Sequence, residues 1–190
     1  CYAFGLPHGD APECVGNMVR NTKIKLNDSN WPSKEARAKG MIRIAVAQLG
    51  SNTIDQNAFA ETLAELTIRR IVPIALRKEA IRFKGTVRGK KLIQAADRCQ
   101  AEGTKDAVIA AEQNCKDGTE ALRIARYAEW ACDGYAVDVV YAARRLADME
   151  KTPAARNKIL SLIADLIEEA LVICKSPGCK WLYLLDKPIA

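Results

Sequence analysis

The sequence predicts an all-α protein, and three observations support that prediction. Only 6% of the residues are aromatic, and alanine, leucine and isoleucine supply most of the apolar side chains. The β-branched and aromatic enrichment that is typical of sheets is confined to short stretches. The second half repeats small and apolar residues at intervals of three and four, the spacing that forms one face of a helix. We therefore expect a compact bundle of about seven helices.

Start and stop signals divide the first half of the chain into helical segments. Pro32 stands where a first helical position is expected, and Gly50 ends the segment that follows. Asp55 or Asn57 caps the next helix, which Pro73 ends or kinks. The predicted segments cover residues 13–23, 32–49, 55–73, 74–83 and 88–101.

The second half holds the two strongest helical patterns, after a shorter segment over residues 105–116. One long alanine-rich helix is predicted over about 119–150, with Gly134 weakening it or bending it. Thr152 and Pro153 then open a helix over about 153–174 that is apolar on nearly every side. Such a helix is typically buried, so we expect it at the centre with the alanine-rich helix packed on it. The stripe expected to face it comprises Ala121, Ala125, Ala128, Cys132, Ala136, Val139 and Ala143.

We expect residues 1–190 to form a single helical domain, because no linker long enough to divide the chain is evident. Two packed lobes, over about 12–103 and 104–190, are the alternative.

Positive charge is concentrated in one window of the sequence. Between Arg69 and Lys91, nine basic residues stand against the single acid Glu79, a net charge of +8, whereas the whole chain carries +6. A local field of this kind attracts an anionic partner. The candidate binding residues are Arg77, Lys78, Arg82, Lys84, Arg88, Lys90 and Lys91. The alternative is that their stems only cover apolar surface while their charged groups remain in water.

Two kinds of anionic partner are consistent with this window, an acidic protein and a nucleic acid. Phe83 is the only aromatic residue in the window, so the stacking platform of single-strand binders is missing. No helix-turn-helix, zinc-finger or RNA-recognition signature occurs. Nucleic acid would therefore be bound through its phosphates, without sequence specificity. We favour a non-enzymatic protein that binds an acidic protein partner, with nucleic-acid binding as the alternative.

An enzyme with an acidic site between the helical halves is the third hypothesis. It places Asp133, Asp165 and Glu168 around a polar cleft, where burial would raise a carboxyl pKa enough for acid–base chemistry. The competing interpretation is that the acids lie at a solvated edge and pair with basic residues. The basic residues expected for those pairs are Arg144, Arg145 and Lys158.

Nucleotide, cofactor and metal sites are not expected. The segment from Lys84 to Lys91 has three residues between Gly85 and Gly89, whereas a phosphate loop needs four, and Lys91 replaces its hydroxyl residue. His8 is the only histidine, and its neighbours do not have ligand spacing.

Cysteine usage and hydropathy predict a cytoplasmic protein. The seven cysteines are irregularly spaced and form no C-x-x-C motif, so we expect reduced thiols, several of them in the core. The longest apolar run, residues 71–76, is broken by Pro73 and is too short to span a membrane. Cys1 as the lipidated residue of a processed lipoprotein is the alternative for localisation.

Three short stretches resemble a loosely defined group of helical proteins that occur in bacteria and their phages and have no assigned activity. These are Pro12-Glu13-Cys14-Val15, the Leu26-Asn27-Asp28 turn ahead of Trp31-Pro32, and Arg69-Arg70-Ile71-Val72-Pro73. The resemblance implies a bacterial or phage accessory protein. It supplies no catalytic residues.

Overall fold

The computed structural model describes residues 12–186, and within that range the chain is helical without any strand. The all-α prediction is therefore confirmed, with nine α-helices in the described range. They are α1 (Asn17–Asn27), α2 (Lys34–Ala47), α3 (Gln56–Arg70), α4 (Val72–Arg82), α5 (Val87–Glu102), α6 (Lys105–Glu112), α7 (Glu120–Cys132), α8 (Asp138–Asp148) and α9 (Pro153–Ile173). Two 3₁₀ segments, Ser51–Thr53 and Pro177–Leu184, accompany them.

Most of the helices begin at a residue whose side chain caps the first turn. Asp55, one of the two predicted caps of α3, accepts hydrogen bonds from the backbone N–H groups of Asn57 and Ala58. Thr152 accepts one from Ala155, as the Thr152-Pro153 signal predicts. Each such cap satisfies a donor that the helix leaves without an internal partner. The side-chain caps are Ser33, Asp55, Thr86, Thr104, Thr119 and Thr152.

The prediction of one long helix over 119–150 is wrong. Helix α7 ends at Cys132 and α8 begins at Asp138, because Gly134 adopts a left-handed backbone with φ of 92° that a helix cannot contain. The two helices pack against each other, and the alanine stripe is divided between them. The stripe keeps its intervals of three and four residues across Gly134, so the sequence pattern did not reveal that the helix ends there.

The predicted centre of the bundle is also wrong. Helix α9 packs against α2, α3 and α8, but its C-terminal end is open, since Val172 and Ile173 are exposed. Helix α3 packs against α1, α4, α5, α7, α8 and α9. Its inner face is fully buried at Phe59, Leu63 and Ile68. The apolar sequence of α9 predicts that much of its surface is buried. It does not predict how many other helices pack against it, and that number is larger for α3.

Buried apolar side chains from both halves of the chain belong to one contiguous core, from Val15 near the start of the described range to Leu182 near its end. Among the described residues, none of the helices is both long enough and apolar enough to cross a membrane. The fold places α4 and α5 beside α3, with the outer faces of both helices toward solvent.

Candidate functional site: the basic surface of α4 and α5

Helices α4 and α5 pack against each other and are joined by a four-residue connection. Most of the basic window lies on these two helices and their connection. A short connection makes consecutive helices antiparallel neighbours. Gly85 turns the chain with φ of 82°, and Thr86 caps α5 by accepting a hydrogen bond from Gly89. The basic residues near the end of α4 therefore lie beside those near the start of α5.

The two helices approach closely at Gly89. A β-carbon at this position would lie 2.3 Å from the carbonyl oxygen of Phe83, so any larger residue would push α5 away from the end of α4. The carbonyl oxygen of Ala80 lies 3.4 Å from the same point, and Ala80 and Gly89 both line a groove between the helices. The glycines of this segment thus serve a turn and a close helix contact.

Four of the seven predicted binding residues are engaged within the protein. Arg77 donates to Asp97 and Gln100, both at 2.7 Å, and Lys78 contacts Glu150. The guanidinium of Arg82 lies 3.3 Å from the carboxylate of Glu79, and that of Arg88 lies 4.3 Å from the centre of the Phe83 ring. Part of the positive charge that the sequence shows is therefore balanced or held internally.

The other three, Lys84, Lys90 and Lys91, are exposed and form no ion pair with the described residues. Lys90 and Lys91 are the fourth and fifth residues of α5, and no acid stands in its first turn. A cation in the first turn of a helix opposes the helix dipole, and this effect fades beyond that turn. Neither lysine therefore gains stability from the dipole of α5.

An apolar groove of about 410 Å³ runs between α4 and α5 and is bordered by basic residues. Ile81 is 73% exposed and Ile93 47% exposed, large values for isoleucines of a folded helix. The lining comprises Arg77, Ala80, Ile81, Lys84, Gly85, Gly89, Lys90 and Ile93. Sequence reasoning missed this groove. The available signal was two isoleucines, one within the basic window and one just after it, that lie off the buried faces of their helices.

The opposite side of α5 borders a polar groove with a different character. It is formed by two adjoining depressions of about 310 Å³ and 520 Å³ along α5, α6 and the residues after α6. Lys91 and Asn114 line both depressions, and Gln94, Arg98 and Lys116 each line one. Arg98 is paired with Glu102 at 2.9 Å. Lys90 and Lys91, adjacent in sequence, thus border two different grooves.

The acids of the enzyme hypothesis do not form one cleft. Asp165 and Glu168 line a polar groove of about 320 Å³ with residues of α2, but Asp133 does not line it and instead accepts a 2.6 Å hydrogen bond from Lys105. Glu168 is held by two hydrogen bonds from Arg43, at 2.7 and 2.9 Å. Arg43 thus donates to both carboxylate oxygens of Glu168.

Two of the three acids of α9 pair with basic residues, but not with those expected from the sequence. Glu168 pairs with Arg43, and Glu169 pairs with Arg70 at 2.6 Å, in place of the expected Arg144, Arg145 and Lys158. Burial raises the pKa of Asp165, and the neighbouring Glu168 adds to the effect. Arg43 and Arg70 act in the opposite direction.

Thiols and metal ligands offer no alternative site in the part of the chain that the structure describes. The six cysteines from Cys14 to Cys179 are free, and burial raises the pKa of the Cys99 and Cys115 thiols to about 11. A thiol with so high a pKa is a weak nucleophile at neutral pH. Residues 12–186 contain no group of three potential metal ligands. His8 and Cys1 lie outside the described residues.

Comparison with known protein families, with curated proteins and with solved structures finds no match to this chain.

Proposed function

We propose that this is a non-enzymatic interaction protein that binds an acidic protein partner through the surface formed by α4 and α5, in the role of a bacterial or phage accessory protein. The observation that carries the proposal is that Lys84 and Lys90, which have no ion pair among residues 12–186, border a groove with exposed isoleucines. Charge and exposed apolar surface coincide there. The residues of this basic surface are Arg77, Lys78, Arg82, Lys84, Arg88, Lys90 and Lys91.

The exposed apolar side chains favour a protein partner over a polynucleotide. Ile81 is 73% exposed and Ile93 is 47% exposed, although both belong to well-formed helices. Apolar surface left open beside polar groups is typical of protein interaction sites. A phosphate backbone carries no apolar side chains to cover it. Burying two such residues in a complex contributes about 1.5–3 kcal/mol for each residue that becomes fully covered.

The position of the lysines supports a role in binding. Lys90, at the end of the first turn of α5, acts against the helix dipole, and no acid of that turn offsets it. An acidic partner supplies the missing negative charge, so that complex formation removes a cost that the free protein bears.

Nucleic-acid binding without sequence specificity is the second candidate, and the polar groove on the α6 side of α5 favours it. Lys91 and Lys116 line this groove together with the amide side chains of Gln94 and Asn114. Lysine and amide groups are common phosphate contacts. The two candidates therefore assign different sides of α5 to the partner.

A direct test measures the binding of labelled polyglutamate, a generic DNA duplex and a generic single strand by fluorescence anisotropy. We expect polyglutamate to bind at one site and to weaken by about tenfold when Lys84, Lys90 and Lys91 are replaced by Gln, since exposed charge pairs contribute up to about 1 kcal/mol each. The matched control replaces Lys34, Lys151 and Lys158, which are also exposed and without an ion pair in the described part of the chain. Equal losses in the two triple variants would refute a specific basic surface.

If the protein binds nucleic acid instead, the same experiment should give a different result. Duplex and single strand would bind at many overlapping sites, and affinity would fall steeply between about 50 and about 200 mM salt. Tight nucleic-acid binding together with no polyglutamate binding would replace the first proposal by the second.

A further inference from the structure

We infer that the groove between α4 and α5 receives an acidic amphipathic helix, whose apolar side chains cover Ile81 and Ile93 while its carboxylates reach Lys84 and Lys90. This inference rests on the proposed function and adds the structural class of the partner segment. It follows from the dimensions of the groove, its lining and its charge.

The groove has the form that a helix face fits. It lies between two antiparallel helices, and the furrow between neighbouring helices is where a third helix packs by placing its ridges into their grooves. From Arg77 to Ile81 the α4 wall advances four residues, or about 6 Å at a rise of about 1.5 Å per residue. A helix lying along it brings two apolar residues four positions apart, about 6 Å along its axis, over the groove.

The floor of the groove suits apolar side chains. Ala80 and Gly89 are small residues that do not fill the groove. Gly89 cannot be replaced by a larger residue without a shift, because a β-carbon there would lie 2.3 Å from the carbonyl oxygen of Phe83. Ile81 and Ile93 form the walls and are exposed at 73% and 47%. A groove of about 410 Å³ with such a lining offers room for large aliphatic side chains and no polar group in its floor to recognise a hydrophilic ligand.

The charges around the groove specify the flanks of the partner helix. Arg77, Lys84 and Lys90 line it, and none of the lining residues is acidic. Arg77 already donates to Asp97 and Gln100, so the two lysines are the cations left for a partner. Lys84 lies in the connection, two residues after the end of α4, and Lys90 lies on α5. Carboxylates on both sides of an apolar stripe complement this arrangement.

The experiment uses two labelled peptides of identical composition with the complete protein. One places leucine at i and i+4, glutamate on both flanks of that stripe and alanine elsewhere. The other is a scrambled version without a continuous apolar face. We expect the amphipathic peptide to bind at least about tenfold more tightly than the scrambled one, because only the former buries its leucines and its carboxylates together. It should gain helical circular dichroism on binding.

Variants of the groove locate the binding. Ile81→Gln with Ile93→Gln should reduce affinity for the amphipathic peptide by about tenfold or more, and Lys84→Gln with Lys90→Gln should do the same. Ile42→Gln with Val172→Gln is the apolar control, since both residues are also about half exposed. Lys34→Gln with Lys158→Gln is the charge control, because both lysines are exposed, have no ion pair among the described residues and do not line the groove. The controls should retain the affinity of the unchanged protein.

The outcomes separate this inference from the function that it extends. If polyglutamate and both peptides bind equally well, and the isoleucine changes have no effect, the acidic-partner function stands and the groove inference is overturned. If no acidic peptide binds, both are overturned. If the protein self-associates in sedimentation and Ile81→Gln abolishes the association, the occupant is a second copy and the inference is wrong.

Discussion

The carboxylate of Glu79, with only 3% of its side chain exposed, lies 3.3 Å from the guanidinium of Arg82, whose side chain is 71% exposed. The two residues are one turn apart on α4. A buried carboxylate without a compensating cation is costly, so Arg82 has a structural task that Lys84 does not have. The basic window therefore combines residues that maintain the fold with residues that remain available to a partner.

Arg82→Gln is expected to lower the free energy of unfolding by about 1–2 kcal/mol, because it leaves the Glu79 carboxylate without its cation. Lys84→Gln, two residues later, should change it by less than about 0.5 kcal/mol. Urea unfolding of the two variants measures both values. Adding Glu79→Gln to the Arg82 variant should recover part of the loss. Equal stability of the two single variants would show that the pair has no structural role.

Gly134→Ala tests the break between α7 and α8, because a break and a continuous helix predict opposite changes in the free energy of unfolding. Because φ of Gly134 is 92°, alanine should destabilise the protein by about 1 kcal/mol through backbone strain. No atom lies within 4 Å of the added β-carbon, so steric overlap does not contribute. In one continuous helix the same change would stabilise by about 1 kcal/mol. Thermal or urea unfolding distinguishes a loss from a gain.

The central position of α3 predicts a large cost for truncating its inner face. Leu63 of α3 and Leu166 of α9 are both fully buried. Leu63→Ala and Leu166→Ala should each lower the free energy of unfolding by about 2–5 kcal/mol. We expect the α3 variant to lose at least as much, because more helices surround α3 and fix the walls of the cavity. A clearly smaller loss at Leu63 would contradict that position.

Glu112 at the end of α6 should make stability depend on pH. Burial, and next the neighbouring carboxylate of Glu129, raise its pKa from 4.5 to about 7, while Arg126 opposes the shift. Because the folded state favours the protonated form, this group stabilises the fold below about pH 4.5 and loses that contribution as the pH rises through about 7.

Glu112→Gln keeps a neutral side chain at every pH. It should therefore raise the free energy of unfolding by about 1 kcal/mol at about pH 8 and change it little at about pH 4. The expected gain is smaller than the full shift implies, since water at the α6–α7 edge screens the charges. Urea midpoints at the two pH values provide the measurement. A loss of stability at both would mean that the ion pair with Arg126 dominates.

Local signals determined how much of the fold was predictable. The caps at Asp55 and Thr152 act within three residues, and the sequence revealed them. The break at Gly134 was missed because alanines on both sides keep one helical phase. The pairs Arg43 with Glu168 and Arg70 with Glu169 join residues about a hundred positions apart, and nothing in their local sequence specifies them.

The candidate site also has features that the local sequence reveals and features that depend on how the helices pack. The sequence displays the charge of the basic window, because composition is local. It does not show that Arg77 and Lys78 pair with Asp97 and Glu150, since those pairs depend on how α5 and the residues after α8 lie against α4. The exposure of Ile81 likewise depends on which face of α4 the core covers.

Binding of an acidic protein segment by the surface of α4 and α5 can be measured by titrating labelled polyglutamate into the unchanged protein and two triple variants. We expect single-site binding that weakens by about tenfold when Lys84, Lys90 and Lys91 become Gln, and that keeps its affinity when Lys34, Lys151 and Lys158 do. Equal weakening in both variants, or no binding to the unchanged protein at low salt, would show that this surface does not bind acidic protein segments.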